Sequence, residues 1–162
     1  DASLFEVKPQ VVVFPKDAAD IKALVKYVKV HKKNNPSLSL TARSGGTDMS
    51  GGAINDSILV EFSKYFNHIP QINGNIAITE PGVFYRDFEK ETLKHNLLFP
   101  SYPASREICC LGGIVNNNAG GEKSLKYGKT EQYVKRVKVV LSDGNEYEFK
   151  SLSIQELNEK MK

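Results

Sequence analysis

Paired glycines constrain this chain more than any other feature of its sequence. Eight of the twelve glycines stand in four Gly-Gly pairs, at 45–46, 51–52, 112–113 and 120–121. Glycine allows positive φ angles and a close approach of the backbone, so successive N–H groups can converge on an anion. The first two pairs follow an apolar run at 38–42, which places them at the carboxyl end of a strand, where ligands gather. The pattern predicts contact with a phosphate-bearing cofactor; the alternative is that the pairs are only tight turns.

Two common phosphate motifs are excluded. No Gly-x-Gly occurs anywhere in the chain, so the dinucleotide fingerprint G-x-G-x-x-G is absent. A Walker A loop needs Gly-Lys-Ser/Thr, and the nearest approach inserts Glu122 between Gly121 and Lys123.

Seven short motifs follow one another along the chain. They are Arg-Ser-Gly-Gly-Thr at 43–47, Glu-Pro-Gly at 80–82, Pro-Ser-Tyr-Pro at 100–103, Leu-Gly-Gly at 111–113, Asn-Asn-Ala-Gly-Gly at 117–121, Tyr-Gly at 127–128 and Val-Val-Leu-Ser-Asp-Gly at 139–144. In this order and spacing the chain resembles the FAD-binding domain of the vanillyl-alcohol oxidase and para-cresol methylhydroxylase (PCMH-type) superfamily. The closer likeness is to bacterial FAD/FMN-containing dehydrogenases of the glycolate oxidase and D-lactate dehydrogenase kind.

The resemblance implies an α+β fold made of two α+β subdomains that grip FAD. Residues 1–66 would form a small βαβ layer, and residues 67–162 a second layer with a mixed or antiparallel sheet. A later glycine-rich strand, which normally completes this domain, is missing from the 162 residues. We therefore expect a PCMH-type FAD-binding fold that is incomplete at its C-terminus.

Hydrophobic periodicity predicts the elements within these layers. Strands are expected at 11–14, buried, at 38–42 and at 57–62, with a helix starting after Asp17. Hairpins are expected at 69–79, turning at Asn73-Gly74, and at 134–149. A helix at 83–96 with Phe84 and Phe88 in the core, and a charged helix at 153–162, complete the prediction.

The resemblance also implies the cofactor site. Residues 44–48 would form the loop for the FAD pyrophosphate, and the stretch 103–110 with Gly112-Gly113 would run beside the flavin and its ribityl chain. Asn117, Asn118 and Gly120 would contact the isoalloxazine ring or the pyrophosphate. The candidates are Ser44, Gly45, Gly46, Thr47, Asp48, Pro81, Pro103, Ala104, Ser105, Cys110, Gly112, Gly113, Asn117, Asn118 and Gly120. Asp48 departs from the small neutral residue of similar proteins, so its carboxylate should turn away from phosphate, toward Arg43 or backbone amides. Arg43 either fixes the loop, offsets negative charge or makes a structural ion pair.

Some similar proteins attach flavin covalently through a histidine in the first glycine loop. This loop carries Thr47 and no histidine, so the sequence predicts non-covalent FAD. Cys109 and Cys110 are adjacent, which fits neither a Cys-x-x-Cys redox pair nor a zinc set. We expect them to be small buried residues with inert sulfur.

Bulk composition narrows the class of protein. Lys plus Arg exceed Asp plus Glu by 22 − 19 = 3, which suits an anionic cofactor and falls far short of a nucleic-acid signature. The three histidines are isolated, which predicts no metal site. No apolar stretch reaches the ~20 residues of a membrane span. Two thiols favour a reducing compartment, which here indicates the cytoplasm.

These observations predict the FAD-binding portion of a flavin-dependent oxidoreductase that acts on a 2-hydroxy acid such as D-lactate or glycolate. Such chemistry needs a base and cationic groups for the carboxylate, and no such set is evident, so the catalytic residues stay unknown. In similar enzymes these groups lie on a cap domain that this chain is too short to include. Two alternatives stay open: an enolpyruvyl-sugar reductase-like flavoenzyme, and an interaction module that has lost its flavin.

Overall fold

The computed structural model describes residues 2–161. Its first part is a three-stranded parallel sheet in the order β1-β3-β2, formed by β1 (Val11–Val13), β2 (Leu40–Arg43) and β3 (Ile58–Glu61). Helix α1 (Ala18–His31) connects β1 to β2, and Asp17 caps it by accepting hydrogen bonds from the N–H groups of Ala19 and Asp20. The predicted parallel βαβ layer is thereby confirmed.

The second part of the chain forms two antiparallel hairpins and short helices. Strands β4 (Gln71–Asn73) and β5 (Ile76–Ile78) make the first hairpin, and β6 (Arg136–Val140) and β7 (Glu146–Lys150) make the second. The helices are α2 (Tyr85–Leu93), α3 (Leu111–Asn116), α4 (Ser124–Tyr127) and α5 (Ile154–Lys160), with a 3₁₀ turn at Thr130–Gln132. The predicted antiparallel layer is two separate hairpins.

The main core lies in the second part and surrounds Tyr85. Buried Val83, Phe88, Tyr102 and Ile114 belong to the same cluster. Burial and the neighbouring Glu89 raise the pKa of Tyr85, whose hydroxyl donates to the carbonyl oxygen of Phe99 at 2.8 Å. Residues of both α2 and α3 belong to this core, which therefore fixes the position of the two helices.

The two parts meet along α1. Gly144, at the turn of the second hairpin, has φ +82° and packs against the aliphatic part of Lys26. Nζ of Lys22 lies 3.8 Å from Oε2 of Glu146. The second hairpin therefore contacts the helix of the first layer. The division of the chain at residues 66 and 67 stays a prediction.

Two sequence expectations need correction, and one helix was not predicted. Strand β1 is not buried, because it is an edge strand, and Val11 and Val12 remain 44% and 41% exposed. The first hairpin turns at Gly74-Asn75, one residue later than predicted, because Asn73 pairs with Ile76 and only Gly74 takes a positive φ. Residues Leu111–Asn116 form a helix that glycine-rich composition concealed.

Candidate functional site

The first glycine segment is an open loop that leaves β2. Its backbone turns at Gly46, with φ +61°, and again at Gly51, with φ +85°. Both values lie in the left-handed region that side chains disfavour, which explains glycine at these two positions. Gly45 is glycine for a different reason: a Cβ there would lie 2.7 Å from the carbonyl oxygen of Ile108.

Five consecutive backbone donors in this loop lack an acceptor among the described residues. Within residues 2–161, none of the N–H groups of residues 44–48 donates a hydrogen bond to backbone or side chain. The residues themselves are half-buried. These N–H groups are therefore available to acceptor atoms from outside the described residues, whether of water or of a ligand.

Hydroxyl groups add to the donors of the loop. The Ser44 hydroxyl makes no hydrogen bond within the described part of the chain. The Thr47 hydroxyl accepts a hydrogen bond from Ser105 at 3.3 Å, which ties the loop to the segment that follows Pro103. Serine and threonine can each donate one hydrogen bond to a phosphate oxygen.

The carboxylate of Asp48 turns back into its own loop. It accepts hydrogen bonds from the N–H of Gly52 at 2.6 Å and from the Ser50 hydroxyl at 2.9 Å. The Gly52 N–H and the Ser50 hydroxyl hold the pKa of Asp48 below its usual value. The sequence left two partners open for this carboxylate, Arg43 or backbone amides. The structure shows that it binds a backbone amide, that of Gly52.

Arg43 makes a structural ion pair. Its Nε lies 3.3 Å from Oε2 of Glu61, the residue beside it in the parallel register. Its guanidinium covers Gly46, where a Cβ would collide with it. Arg43 therefore links the loop at Gly46 to the end of β3 at Glu61. Sequence reasoning missed Glu61, since only the register reveals that both residues end neighbouring strands.

The second glycine segment begins beside the first. Gly113 lies on α3 with Ser44 as its neighbour, since a Cβ on Gly113 would lie 3.3 Å from Oγ of Ser44. The N–H of Gly113 also donates to no acceptor among residues 2–161. Gly112 packs on Pro81, and its N–H donates to the Pro81 carbonyl at 2.9 Å. Pro81, Gly112 and Gly113 thus join the same surface as the loop.

The thiols of Cys109 and Cys110 lie behind that surface. Their exposed fractions are 3% and 1%, and both are free. Burial raises the pKa of Cys109 and raises the pKa of Cys110 to about 12. A neutral, enclosed thiol is a poor nucleophile, so the structure supports the prediction that these cysteines are packing residues.

The candidates at 103, 118 and 120 belong to a second group of contacts, formed with residues 121–131. Gly121 packs against the carbonyl oxygen of Tyr102 and lies beside Pro103, while Gly120 contacts Ser124, whose Oγ accepts the Gly121 N–H at 2.8 Å. The Asn118 side chain is engaged by Glu131, with which it exchanges two hydrogen bonds of 2.7 and 2.9 Å. Asn117 and Ala104 are exposed.

The structure thus brings nine candidates together and sets others apart. Nine are linked through the first loop, namely Ser44, Gly45, Gly46, Thr47, Ser105, Pro81, Cys110, Gly112 and Gly113, whereas Pro103 lies beside Gly121 in the second group. Asn118 and Gly120 bind neighbours within residues 118–131, and Asp48 faces its own loop. Within the described residues, no group of three or more acidic, histidine or cysteine side chains is arranged to hold a metal ion. No helix in that part of the chain is long and apolar enough to span a membrane.

Comparison with known protein families identifies the domain. The family described as FAD binding domain matches residues 9–150. D-2-hydroxyglutarate dehydrogenase of Haemophilus influenzae is 32% identical over 146 residues, which are 89% of this chain and 14% of that protein. D-lactate dehydrogenase of Archaeoglobus fulgidus is 32% identical over 83% of this chain and 29% of its own length. The glycolate oxidase subunit GlcD of Bacillus subtilis is 30% identical over 87% and 30%.

Solved structures share the fold. The 6-hydroxy-D-nicotine oxidase of Arthrobacter nicotinovorans superposes with a TM-score of 0.77 at 23% identity, over 91% of this chain and 31% of its own. A glucooligosaccharide oxidase from Acremonium strictum, described with a 6-S-cysteinyl, 8α-N1-histidyl FAD, gives a TM-score of 0.73 at 20% identity, over 89% and 30%. The α+β PCMH-type fold and the resemblance predicted from the motifs are confirmed. The chain spans between 14% and 30% of the length of the three sequence relatives named above.

Proposed function

This chain belongs to the FAD binding domain family, and on that premise we propose that it is the FAD-binding part of a flavin-dependent oxidoreductase acting on a 2-hydroxy acid. Three relatives support the substrate class by their names, since hydroxyglutarate, lactate and glycolate are all 2-hydroxy acids. The same observation favours this function over an enolpyruvyl-sugar reductase or an interaction module without flavin.

One structural observation carries the cofactor assignment. The five N–H groups of residues 44–48, which find no acceptor within residues 2–161, suit the two negative charges of the FAD pyrophosphate. The carboxylate of Asp48 does not occupy these donors, because it accepts from Gly52 and Ser50 instead. Ser44 adds a hydroxyl donor on the same loop.

The remaining candidates would line the rest of the cofactor. Ser105, Cys110, Gly112 and Gly113 adjoin the loop, and the two glycines present backbone without a side chain. We propose that this surface receives the ribityl chain and the flavin ring. When bound, FAD accepts the hydride equivalent that leaves the substrate carbon, and the protein residues position it and exclude water.

We propose that FAD is held without a covalent bond. No histidine lies in residues 44–52, and the nearest thiols are buried with raised pKa values. Acid precipitation of the full-length protein should release all the yellow colour into the supernatant. Flavin that stays with the pellet would contradict this proposal.

The proposed reaction also requires groups beyond those described above. Removal of the hydroxyl proton needs a base, and the substrate carboxylate needs cationic partners. We propose that these groups lie on a cap domain elsewhere in the full-length protein, consistent with the longer relatives. The 162-residue chain alone should then show no dehydrogenase activity in an artificial-acceptor assay, while the full-length protein turns over.

The experiment that tests the function uses the full-length protein with FAD. D-2-hydroxyglutarate, D-lactate and glycolate would be supplied with an artificial electron acceptor, and reduction followed by absorbance, with the L-enantiomers of the first two acids as controls. We expect one 2-hydroxy acid to reduce the flavin. Bound flavin that none of these acids reduces would contradict the substrate class, and absence of flavin binding would contradict the function as a whole.

We also propose a cytoplasmic location, from the two free thiols. Fractionation of cells that produce the full-length protein, followed by immunodetection, tests it. Recovery outside the cytoplasmic fraction would contradict this location.

A further inference from the structure

The N-terminal arm, residues 2–7, lies against the first glycine loop. The N–H of Ala2 donates a hydrogen bond of 3.2 Å to the carbonyl oxygen of Gly46. Phe5 touches the other end of the loop, because its Cδ2 lies 3.2 Å from the position of a Cβ on Gly51. The arm therefore contacts both residues of this loop that have positive φ.

The Ala2 contact determines the direction of one proposed phosphate donor. Within residues 2–161 every peptide bond is trans, so the C=O of Gly46 and the N–H of Thr47, which share one planar peptide, point in opposite directions. The carbonyl of Gly46 faces the arm, since it accepts from Ala2. The N–H of Thr47 must therefore face away from the arm, on the side where it finds no acceptor among residues 2–161.

Rotation of this peptide would reverse its effect on an anion. With the carbonyl of Gly46 turned toward phosphate, a donor would be replaced by a negative dipole end. Glycine at positive φ has little intrinsic preference that would prevent such rotation. The hydrogen bond from Ala2 supplies that preference.

We propose that Ala2 is a positioning residue for phosphate, which orients the Thr47 N–H toward the cofactor pyrophosphate by holding the Gly46 carbonyl on the opposite side. Phe5 assists by seating the arm on Gly51. The inference rests on the proposed function, because it assumes that residues 44–48 receive the pyrophosphate. It adds a part of the chain outside all seven motifs to the cofactor site.

Substitution of Ala2 tests the proposal in the full-length protein. Ala2→Pro removes the N–H donor, while Ala2→Gly keeps it and serves as the matched control. Affinities would be measured by fluorescence titration for FAD, for ADP, which carries the pyrophosphate without the flavin, and for riboflavin, which carries the flavin without phosphate. We expect Ala2→Pro to weaken FAD and ADP about fivefold, the loss of one hydrogen bond, and to leave riboflavin unchanged. Ala2→Gly should match the parent for all three.

Two further variants separate the arm from general damage. Phe5→Ala should weaken FAD and ADP in the same direction as Ala2→Pro, whereas Leu4→Ala removes a side chain that is fully exposed and should change nothing. Equal losses for FAD, ADP and riboflavin, or full FAD affinity in Ala2→Pro, would overturn the proposal. If the parent protein itself fails to bind FAD and ADP, the proposed function fails first, and the two failures are distinct.

Discussion

The two glycine segments look alike in sequence and differ in the physical reason for their glycines. In the first, Gly46 and Gly51 have positive φ, and the backbone of residues 44–48 leaves its N–H groups unpaired among residues 2–161. In the second, no glycine between 112 and 121 has positive φ, and Gly112 and Gly121 allow backbone to pack against Pro81 and Tyr102. The first segment uses glycine for conformation, and the second mainly for close packing.

Gly45 and Gly113 qualify this contrast. Gly45 lies in the conformational segment and yet packs against the backbone of Ile108 and Cys109. Gly113 lies in the packing segment and yet is exposed beside Ser44. Each segment therefore contains one glycine that departs from the general pattern of that segment. Substitutions at single glycines can separate the effect of packing from the effect of ligand contact.

The largest expected effect is on folding, in the packing segment. Gly121→Ala places a Cβ against the Tyr102 carbonyl, where backbone cannot give way cheaply. We expect the free energy of unfolding to fall by about 3 kcal/mol, at the upper end for overpacking. Urea unfolding of the full-length protein, followed by circular dichroism, measures it. A loss of stability no larger than that of Gly113→Ala would contradict the packing interpretation.

The cysteine pair that separates the segments should affect stability and leave chemistry intact. Replacing both Cys109 and Cys110 with alanine removes buried sulfur and should cost about 1–3 kcal/mol of unfolding free energy. Turnover per bound flavin should persist, because neither thiol is exposed. Loss of turnover with normal flavin content would show a chemical role for one of them.

The same thiols predict a pH dependence of stability. Burial raises the pKa of Cys110 from 9.0 to about 12 in the folded protein, so the folded state favours the neutral thiol. This contribution is fully present below pH 9 and is lost as the pH rises toward 12. Unfolding midpoints measured from pH 8 to 11 should fall less steeply in the double alanine variant than in the parent. Identical slopes would contradict the assignment.

Gly113→Ala should lower flavin affinity and spare the fold. The new Cβ meets only Ser44 Oγ, at 3.3 Å, and alanine favours the helix by up to ~1 kcal/mol over glycine. If Gly113 faces the cofactor, FAD affinity should fall about tenfold while the unfolding midpoint holds or rises. Fluorescence titration with FAD measures the affinity, and unchanged binding would remove Gly113 from the site. Gly46→Val is less informative, because it also strains φ and collides with Arg43.

The smallest expected effect concerns the charge of Asp48. Asp48→Asn keeps an acceptor for the Gly52 N–H and removes a negative charge near the proposed pyrophosphate site. FAD affinity should rise by about two- to threefold at low salt, and the gain should shrink at higher salt, which already screens the repulsion between Asp48 and the pyrophosphate in the parent protein. Titrations at two ionic strengths measure this. A loss of affinity would show that the carboxylate is needed to shape the loop.

Sequence alone determined the family and the order of the main strands and helices. The seven motifs identified the FAD binding domain, and capping at Asp17 and the apolar runs placed α1 and the three parallel strands within a few residues. These features are local, since caps, periodicity and turn glycines act through neighbours in the chain. The site residues, in contrast, stay a proposal built on that family and on their geometry.

Only the tertiary structure decided what each glycine and each charge does. The register of β2 and β3 pairs Arg43 with Glu61, and the fold lays Ala2 on Gly46 and Tyr102 on Gly121. Residues far apart in sequence make these contacts, and no local pattern encodes which of them meet. Whether a glycine serves conformation or packing depends on such neighbours, so identical Gly-Gly pairs acquired their different roles only when the chain folded.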